Sequence, residues 1–405
     1  MPSGATAPAT GTAAEIVVAI ERRPELYDPR FAERLEAELG RRFPGRPARV
    51  LVLRVQDGTA ALVAANDPAL ASSREPQPIA GLPPRDGALA ALMRTGVERG
   101  AAAMALVTGG RGAGCGEWLG KLLEPIVEQG FECVRPAYLR HRLDAPLNTG
   151  VIYPLVRALY GKRLRQPLGT ETALSLGLAR RLLSDPDWLR DPESAGTHTW
   201  LLGKVLAGRD RLCQAWLGAW PGASAPPEEA SDLIARVLGR MFREMERHAA
   251  RWQRVDGSAD VPSFGTPGWL AGDPPRADLG FLFSAFRLGQ SELAPIWSLV
   301  LPPATLLALR RCATCPLEGF QLEDRLWARV VYDFAVAWFA KVMDRRQLLA
   351  SMTPLYRGWV ASFLRDARDL DETATEARVE ALCRAFEQEK RYLIARWRWP
   401  DSFNP

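Results

Sequence analysis

An alternation of short apolar runs with helix-periodic segments in the N-terminal half limits the fold of this chain more than any other feature. The apolar, partly β-branched runs Glu15–Ile20, Arg49–Val55 and Ala101–Val107 predict buried strands. Gly87–Gly100 carries its apolar residues at helical spacing. Strands that alternate with helices are typical of α/β proteins. We therefore predict an α/β fold with a Rossmann-like mixed sheet flanked by helices.

In the C-terminal half, the apolar residues follow a helical period almost throughout. From about Glu228 onward, apolar residues recur at helical spacing, as in Ser231–Trp252 and Thr373–Arg396. Val255–Asp278 contains four prolines and is predicted to be a loop. We expect a disordered tail at residues 1–14, an α/β domain at 15–225 and a mostly α-helical domain at 226–405.

Composition narrows the class of protein and of partner. The chain has 405 residues, 47% of them hydrophobic and 24% charged, as in ordinary globular proteins. Its net charge is only +5 and its arginines are interleaved with acidic residues, so we expect no nucleic-acid partner. No signal segment opens the chain and no apolar run reaches about 18 residues, so we expect a cytoplasmic protein without a membrane span. The excess of arginine over lysine is typical of a GC-rich bacterial genome.

The stretch Gly130–Ser175 says most about function. Its apolar run Phe131–Val134 predicts the end of a buried strand, because a proline soon follows. Asn148–Tyr160 has helical spacing, with Asn148 or Thr149 expected as its N-cap. Charged residues lie between the strand and the helix, and α/β proteins bind their ligands at such strand ends. We therefore predict a binding site in this stretch.

The same stretch resembles a known family. Its motif residues are Tyr138, Arg140 and Asp144, then Tyr153-Pro154-Leu155 and Arg157–Gly161, then Arg165-Gln166-Pro167 and Gly169-x-Glu171. In this pattern the chain is similar to the mannosylglycerate and glucosylglycerate synthases, which are glycosyltransferases of the GT-A fold, and the similarity continues in the C-terminal helices. The resemblance implies a GT-A-like sheet, a nucleotide-sugar donor and a small hydroxy-acid acceptor.

The resemblance also implies roles for residues on the acceptor side. Arg140, Asp144 and Asn148 would line the acceptor pocket together with Tyr138, since an arginine fork fits a carboxylate and a carboxylate can orient hydroxyls. Glu171 takes the place of the family's closing acidic residue and is a catalytic candidate. The alternative is that Arg140 and Asp144 only pair with each other on a loop.

On the donor side, four residues are candidates for binding phosphate. These are Arg85, Arg111, Arg165 and Gln166. Arg111 lies in a glycine-rich loop, where it could offset diphosphate charge without a metal ion. The alternative is that this segment is only a flexible loop.

The family's metal ligands are missing from this sequence. Its Asp-x-Asp motif, which holds a divalent ion, aligns with Thr108-Gly109-Gly110, and its later histidine aligns within Gly218–Gly222. His198 stands where the family has an acidic catalytic residue and could act as a base.

Two other motifs, Asp185-Pro186-Asp187 and Asp369-Leu370-Asp371, are predicted to be turn and helix-capping residues. Cys312 and Cys315 form a lone CxxC motif, which cannot complete a zinc site alone. We therefore expect no metal cofactor.

Three hypotheses follow. The first is a catalytically degenerate glycosyltransferase homologue that binds a small anionic ligand or a partner protein. The second is an active, metal-independent enzyme that transfers a hexose from a nucleotide-sugar to a small hydroxy-acid. In that enzyme Arg111, His198 or the pair Lys162 and Arg163 would stabilise the developing charge. The third is a scaffold whose basic loops dock an acidic partner protein.

Overall fold

The structure is a computed structural model that describes residues 15–22, 30–56, 59–65, 77–78, 87–109, 115–190, 198–220, 230–272 and 277–400. The tail predicted at 1–14 and the domain boundary predicted at 225/226 lie outside these residues, as do Arg85 and Arg111. The division into two domains therefore stays a prediction.

The described strands form a mixed sheet. The strands are β1 Ile16–Arg22, β2 Ala48–Gln56, β3 Thr59–Ala65, β4 Gln77–Pro78, β5 Ala103–Gly109, β6 Cys133–Leu139, β7 Lys162–Arg163, β8 Thr172–Ser175, β9 Leu212–Ala219, β10 Ala259–Asp260 and β11 Ser263–Phe264. Nine of them form one sheet in the order β11-β9-β6-β8-β5-β1-β2-β3-β4, and β7 pairs with β10. Strands β1, β2 and β5 are parallel, whereas β8 runs antiparallel to both of its neighbours, β5 and β6.

Helices cover both faces of this sheet. They are α1 Arg30–Arg42, α2 Ala88–Glu98, α3 Cys115–Gln129, α4 Tyr153–Tyr160, α5 Leu176–Leu183, α6 Pro186–Arg190, α7 His198–Ala207, α8 Ala230–Arg247, α9 Ala249–Trp252, α10 Leu279–Glu292, α11 Ala294–Trp297, α12 Pro303–Thr314, α13 Asp324–Ala340, α14 Arg345–Ala367 and α15 Glu372–Arg398. The predicted α/β class, with a mixed sheet flanked by helices and a helical C-terminal region, is confirmed. None of the helices in the described part of the chain is long and apolar enough to cross a membrane.

The inner strand β1 shows why the sheet is covered on both faces. Its residues Ile16–Ile20 are fully buried, and successive side chains point to opposite faces. Val17 and Ala19 join a large core that also contains α2, α4 and the C-terminal helices. Ile16 and Val18 join a smaller core with α1 and α3. Strands buried on both faces are apolar runs rather than alternating ones, which is why the sequence predicted them.

Hydrogen bonds to the C-terminal part of the chain fix the segment between β6 and α4. Trp327 of α13 donates an indole hydrogen bond to the carbonyl oxygen of Gly150 at 2.8 Å. Arg142 donates to the carbonyl oxygens of Leu370 and Arg368, both at 2.9 Å, just after α14 ends. The segment is therefore held by parts of the chain that are distant in sequence.

Two predictions about this segment were wrong. The predicted strand end at Phe131–Val134 is instead the start of β6, which continues past Pro136 to Leu139. The charge of Arg135 does not break the strand, because its guanidinium is buried and donates to the carbonyl oxygens of Pro167 and Gly169. Neither Asn148 nor Thr149 caps an α-helix, because both lie in a π-helical turn, Asn148–Ile152, which precedes α4.

Candidate functional site

A cavity of about 520 Å³ lies beside the carboxyl end of β6. Six residues predicted from the sequence line it: Tyr138, Arg140, Asp144, Asn148, Arg165 and Gln166. Arg163, a candidate for charge stabilisation in the metal-independent enzyme, also lines it. Further lining residues that the sequence reasoning did not assign to the site are Tyr153, Trp216, Asp260, Trp269 and Glu376. The volume lies within the range of ordinary small-molecule pockets.

Arg140 and Asp144 form an ion pair in the wall of this cavity. Arg140 Nη1 lies 3.1 Å from Asp144 Oδ2, and both side chains are mostly buried. The Arg140 guanidinium also lies 4.1 Å above the ring of Trp220. Arg140 and Asp144 therefore do pair with each other, as the alternative interpretation of the sequence had it. Both residues also line the cavity, so the pair is accessible to a ligand.

The backbone next to this pair is strained. Ala145 has a φ of +52°, in the left-handed region that non-glycine residues rarely adopt. Asp144 Oδ1 accepts a hydrogen bond of 2.7 Å from the Ala145 amide, which helps to hold this conformation. Local strain of this kind costs about 1 kcal/mol or more and clusters at binding sites.

Asn148 enters the cavity from the π-helical turn. Its Nδ2 donates to the Arg165 carbonyl oxygen at 3.1 Å, and its Oδ1 is buried without a hydrogen-bond partner among the described residues. Glycine is required at Gly150 in this turn, because a Cβ there would lie 2.1 Å from the ring of Trp359. π-helical turns inside helices occur frequently at functional sites.

Arg165, which the sequence predicted on the donor side, lies in the acceptor-side cavity. Its Nη2 is 3.2 Å from Glu376 Oε2 of α15. The guanidinium lies 5.1 Å from the ring centre of Tyr153 and 5.3 Å from that of Trp269. Arg165 thus connects α4, α15 and the segment before α10; a role in phosphate binding stays a prediction.

Gln166 holds the end of β6 in place. Its Nε2 donates to the Tyr138 carbonyl oxygen at 2.7 Å, and its Oε1 accepts from the Tyr138 amide at 3.2 Å. The amide side chain therefore uses both of its ends on the backbone of one residue, and its predicted role toward a donor phosphate also stays a prediction.

Glu171 lies behind Tyr138 and is not among the cavity-lining residues described above. The Tyr138 hydroxyl donates to Glu171 Oε2, which also accepts from Thr170 Oγ1 at 3.0 Å. Burial, and then the charge of Glu171, raise the pKa of Tyr138. Because Glu171 is buried, the structure brings it to Tyr138 but not to the open space of the cavity. Its catalytic role stays a prediction.

His198 is the first residue of α7 and also lies outside the described cavity wall. Burial lowers the pKa of its imidazole to about 3, and the nearby charges of Arg135 and Arg240 act in the same direction. The imidazole is therefore neutral near pH 7. The structure does not bring it together with Arg140 and Asp144.

The predicted loop at Val255–Asp278 contains β10 and β11, which the sequence did not indicate. Through these strands the segment closes one side of the cavity, since β10 pairs with β7 and β11 pairs with β9. The Leu270 amide donates to the Arg140 carbonyl oxygen at 2.8 Å. Gly265 has a φ of +81°, and a Cβ there would lie 3.0 Å from the Trp216 carbonyl oxygen, so only glycine fits this bend.

The two Asp-x-Asp motifs are turn and capping residues, as predicted. Lys204 Nζ lies 2.9 Å from Asp185 and 2.6 Å from Asp187. Asp371 accepts a hydrogen bond of 2.7 Å from the Ala374 amide and caps α15. Within the described ranges, no three His, Cys, Asp or Glu side chains are grouped as a metal site would require. The predicted loss of the metal ligands near Thr108 stays a prediction, since Gly110 lies outside the described residues.

Comparisons with known proteins give matches only among solved structures. No protein-family model and no curated protein matches the chain. Glucosyl-3-phosphoglycerate synthase from Mycobacterium tuberculosis, in complex with Mn²⁺, UDP and phosphoglyceric acid, is 19% identical over 56% of this chain and 78% of that chain, with a TM-score of 0.36. A mycobacterial protein is 21% identical over 58% and 80% of the two chains, with a TM-score of 0.37. Likenesses with TM-scores this low do not assign a function.

Proposed function

We propose that this chain is a glycosyltransferase homologue of the GT-A type that has lost its divalent-cation site and binds a small hydroxylated ligand in the cavity beside β6. The observation that supports the proposal is the convergence of Arg140, Asp144 and Asn148 on one cavity. These residues belong to the motif that resembles the acceptor side of the glycerate-using synthases. Catalysis by the family's metal-dependent route is expected to be absent, because the two positions aligned with the aspartates carry Thr108 and Gly110.

The chemistry of the cavity supports binding rather than catalysis. Burial keeps His198 uncharged near pH 7 and Glu171 is turned toward Tyr138, so neither candidate base faces the ligand space. Arg140 and Asp144, in contrast, can donate to and accept from hydroxyl groups of a bound molecule. A general base must come within hydrogen-bond reach of the proton that it removes.

Calorimetric titration tests the proposal. The purified protein is titrated with glucose and with glycerate, and sugar transfer from UDP-glucose and GDP-mannose is assayed with Mn²⁺ and with EDTA. We expect at least one hydroxylated ligand to bind and Arg140→Gln to weaken that binding at least about tenfold, by loss of a charge-assisted hydrogen bond.

Arg142→Gln is the matched control, because Arg142 is two residues away but donates to backbone carbonyls instead of lining the cavity. It is expected to lower stability and leave affinity unchanged. Mn²⁺-dependent transfer would contradict the proposal, and transfer in EDTA would instead support the metal-independent enzyme. Failure of every hydroxylated ligand to bind would also overturn it.

A further inference from the structure

We infer that the cavity binds an uncharged polyhydroxylated molecule, such as a sugar ring or a polyol without carboxylate or phosphate groups. This inference rests on the proposed function and replaces the anionic ligand expected from the sequence. It follows from how the charges, the hydrogen-bonding groups and the aromatic rings of the cavity are arranged.

The charges of the cavity are balanced among the described residues. Apart from His141, the charged lining residues are three arginines and three carboxylates. Each arginine has one of these carboxylates near it: Arg140 has Asp144 at 3.1 Å, Arg165 has Glu376 at 3.2 Å and Arg163 has Asp260 at 3.6 Å. A ligand with a carboxylate or phosphate would therefore have to compete with a carboxylate already in place.

A hydroxyl group avoids this competition. It can accept a hydrogen bond from a guanidinium and donate its proton to the paired carboxylate, so it can bind both members of a pair such as Arg140 and Asp144 at once. An ionised carboxylate can only accept, and close to Asp144 or Glu376 it would add like-charge repulsion. The same pairs that attract a diol therefore disfavour an anion.

The side-chain amide of Asn148 leads to the same conclusion. The Arg165 carbonyl oxygen can only accept, so the amide nitrogen of Asn148 must face it. The Oδ1 atom is then the group that has no partner in the described part of the chain. An unpaired buried acceptor is costly. A ligand hydroxyl could donate to it, whereas a carboxylate or phosphate oxygen without a proton could not.

Aromatic rings supply the apolar part of the cavity. Tyr153, Trp216 and Trp269 line it, and the Trp216 indole is itself fixed by a hydrogen bond of 3.0 Å to Ser263 Oγ. Large rigid rings beside a few oriented polar groups suit a ligand with C–H faces and hydroxyl edges. Sugar rings have both.

Three probes with one ring and different charge test the inference on the wild-type protein. Glucose, glucuronate and glucose 6-phosphate are titrated separately by calorimetry at pH 7.5 and moderate salt. We expect glucose to bind about tenfold more tightly than glucuronate, and glucose 6-phosphate to bind most weakly. Equal or tighter binding of either charged probe would overturn the inference.

Variants at one end of α15 test the charge balance directly. Glu376→Gln leaves the cavity with one excess arginine charge, and we expect it to raise the affinity for glucuronate about fivefold relative to glucose. Glu372→Gln, one turn earlier on the same helix and outside the lining of this cavity, is the control and should not change the ratio. An unchanged ratio in folded Glu376→Gln would contradict the inference.

The outcomes also separate this inference from the proposed function. If glycerate binds and all three ring probes fail, the proposed function stands and the uncharged sugar-like ligand is wrong. If none of the hydroxylated ligands binds, both are wrong.

Discussion

Arg157 and Arg165 lie close together in the sequence and both pair with glutamates of α15, but the two pairs are buried to different extents. Arg157 is completely buried and binds Glu380 and Glu387. Arg165 binds Glu376, one turn earlier on α15, and its side chain lines the cavity. The first pairing joins α4 to α15, and the second forms part of a wall that a ligand can reach. An arginine–glutamate pair can thus either connect two helices or form part of a binding surface, depending on what surrounds it.

The electrostatic consequences of the two arrangements also differ. The hydrogen bond from Arg157 lowers the pKa of Glu380, so this pair stays charged over a wide range of pH. Removal of one partner of a buried pair leaves an uncompensated charge, whereas removal of one partner of an accessible pair lets water take its place. Four predictions, from the largest expected effect to the smallest, test this contrast.

Arg157→Met should lower the free energy of unfolding by about 2 to 3 kcal/mol, because it leaves two glutamates without their buried partner. Urea unfolding followed by circular dichroism measures the change. Arg384→Met is the control, since Arg384 lies 3.9 Å from the same Glu380 but is largely exposed. Equal effects of the two substitutions would mean that burial does not distinguish the pairs.

His198 represents a third arrangement, a buried base next to arginines. Its folded-state pKa of about 3 lies below its usual 6.5, so its contribution to stability is complete above pH 6.5 and is lost as the pH falls from 6.5 toward 3. At pH 5 the loss should be about 2 kcal/mol. Unfolding of wild type and His198→Asn is compared at pH 7.5 and pH 5. A parallel decrease in both proteins would contradict the assignment.

Tyr138→Phe removes a hydroxyl that donates to the buried carboxylate of Glu171. Glu171 accepts hydrogen bonds from hydroxyl groups, whereas the glutamates of α15 pair with arginines. Removing the Tyr138 hydroxyl therefore tests whether such a hydrogen bond contributes as much to the free energy of unfolding as an ion pair does. We expect a loss of about 1.5 kcal/mol in unfolding free energy. Thermal unfolding of Tyr138→Phe, Glu171→Gln and the double variant measures the coupling, and additive effects would exclude a direct interaction.

Arg165→Gln should change stability least, by less than about 1 kcal/mol, since its partner Glu376 is partly exposed. The same substitution should still weaken ligand binding, because the guanidinium lines the cavity. Chemical unfolding and calorimetry on the same preparation measure both quantities. A loss of stability as large as that of Arg157→Met would mean that the Arg165 pair stabilises the fold as much as the Arg157 pair does, which would contradict the comparison.

The sequence indicated the strands of the sheet where burial on both faces makes a strand continuously apolar, as in β1. It did not indicate β8, because four residues carry too little periodicity. The sequence also ended the strand too early, at Val134, since an arginine followed by a proline is typical of a loop. That Arg135 is buried is visible only in the structure. In the cavity, Arg140 and Asp144 were found because they belong to the motif that resembles a known family. Trp269 and Glu376 were missed because only tertiary packing brings them there.

The π-helical turn at Asn148–Ile152 makes local chain length a determinant of side-chain direction. Such a turn carries one residue more than an α-helical turn, so removal of a single residue here would leave a regular helix that continues directly into α4. The helix itself would survive, but the side chains on the near side of the missing residue would be rotated by about a quarter of a turn relative to those beyond it. Asn148 would then no longer face Arg165, and the shape of the pocket would change without any substitution in its lining.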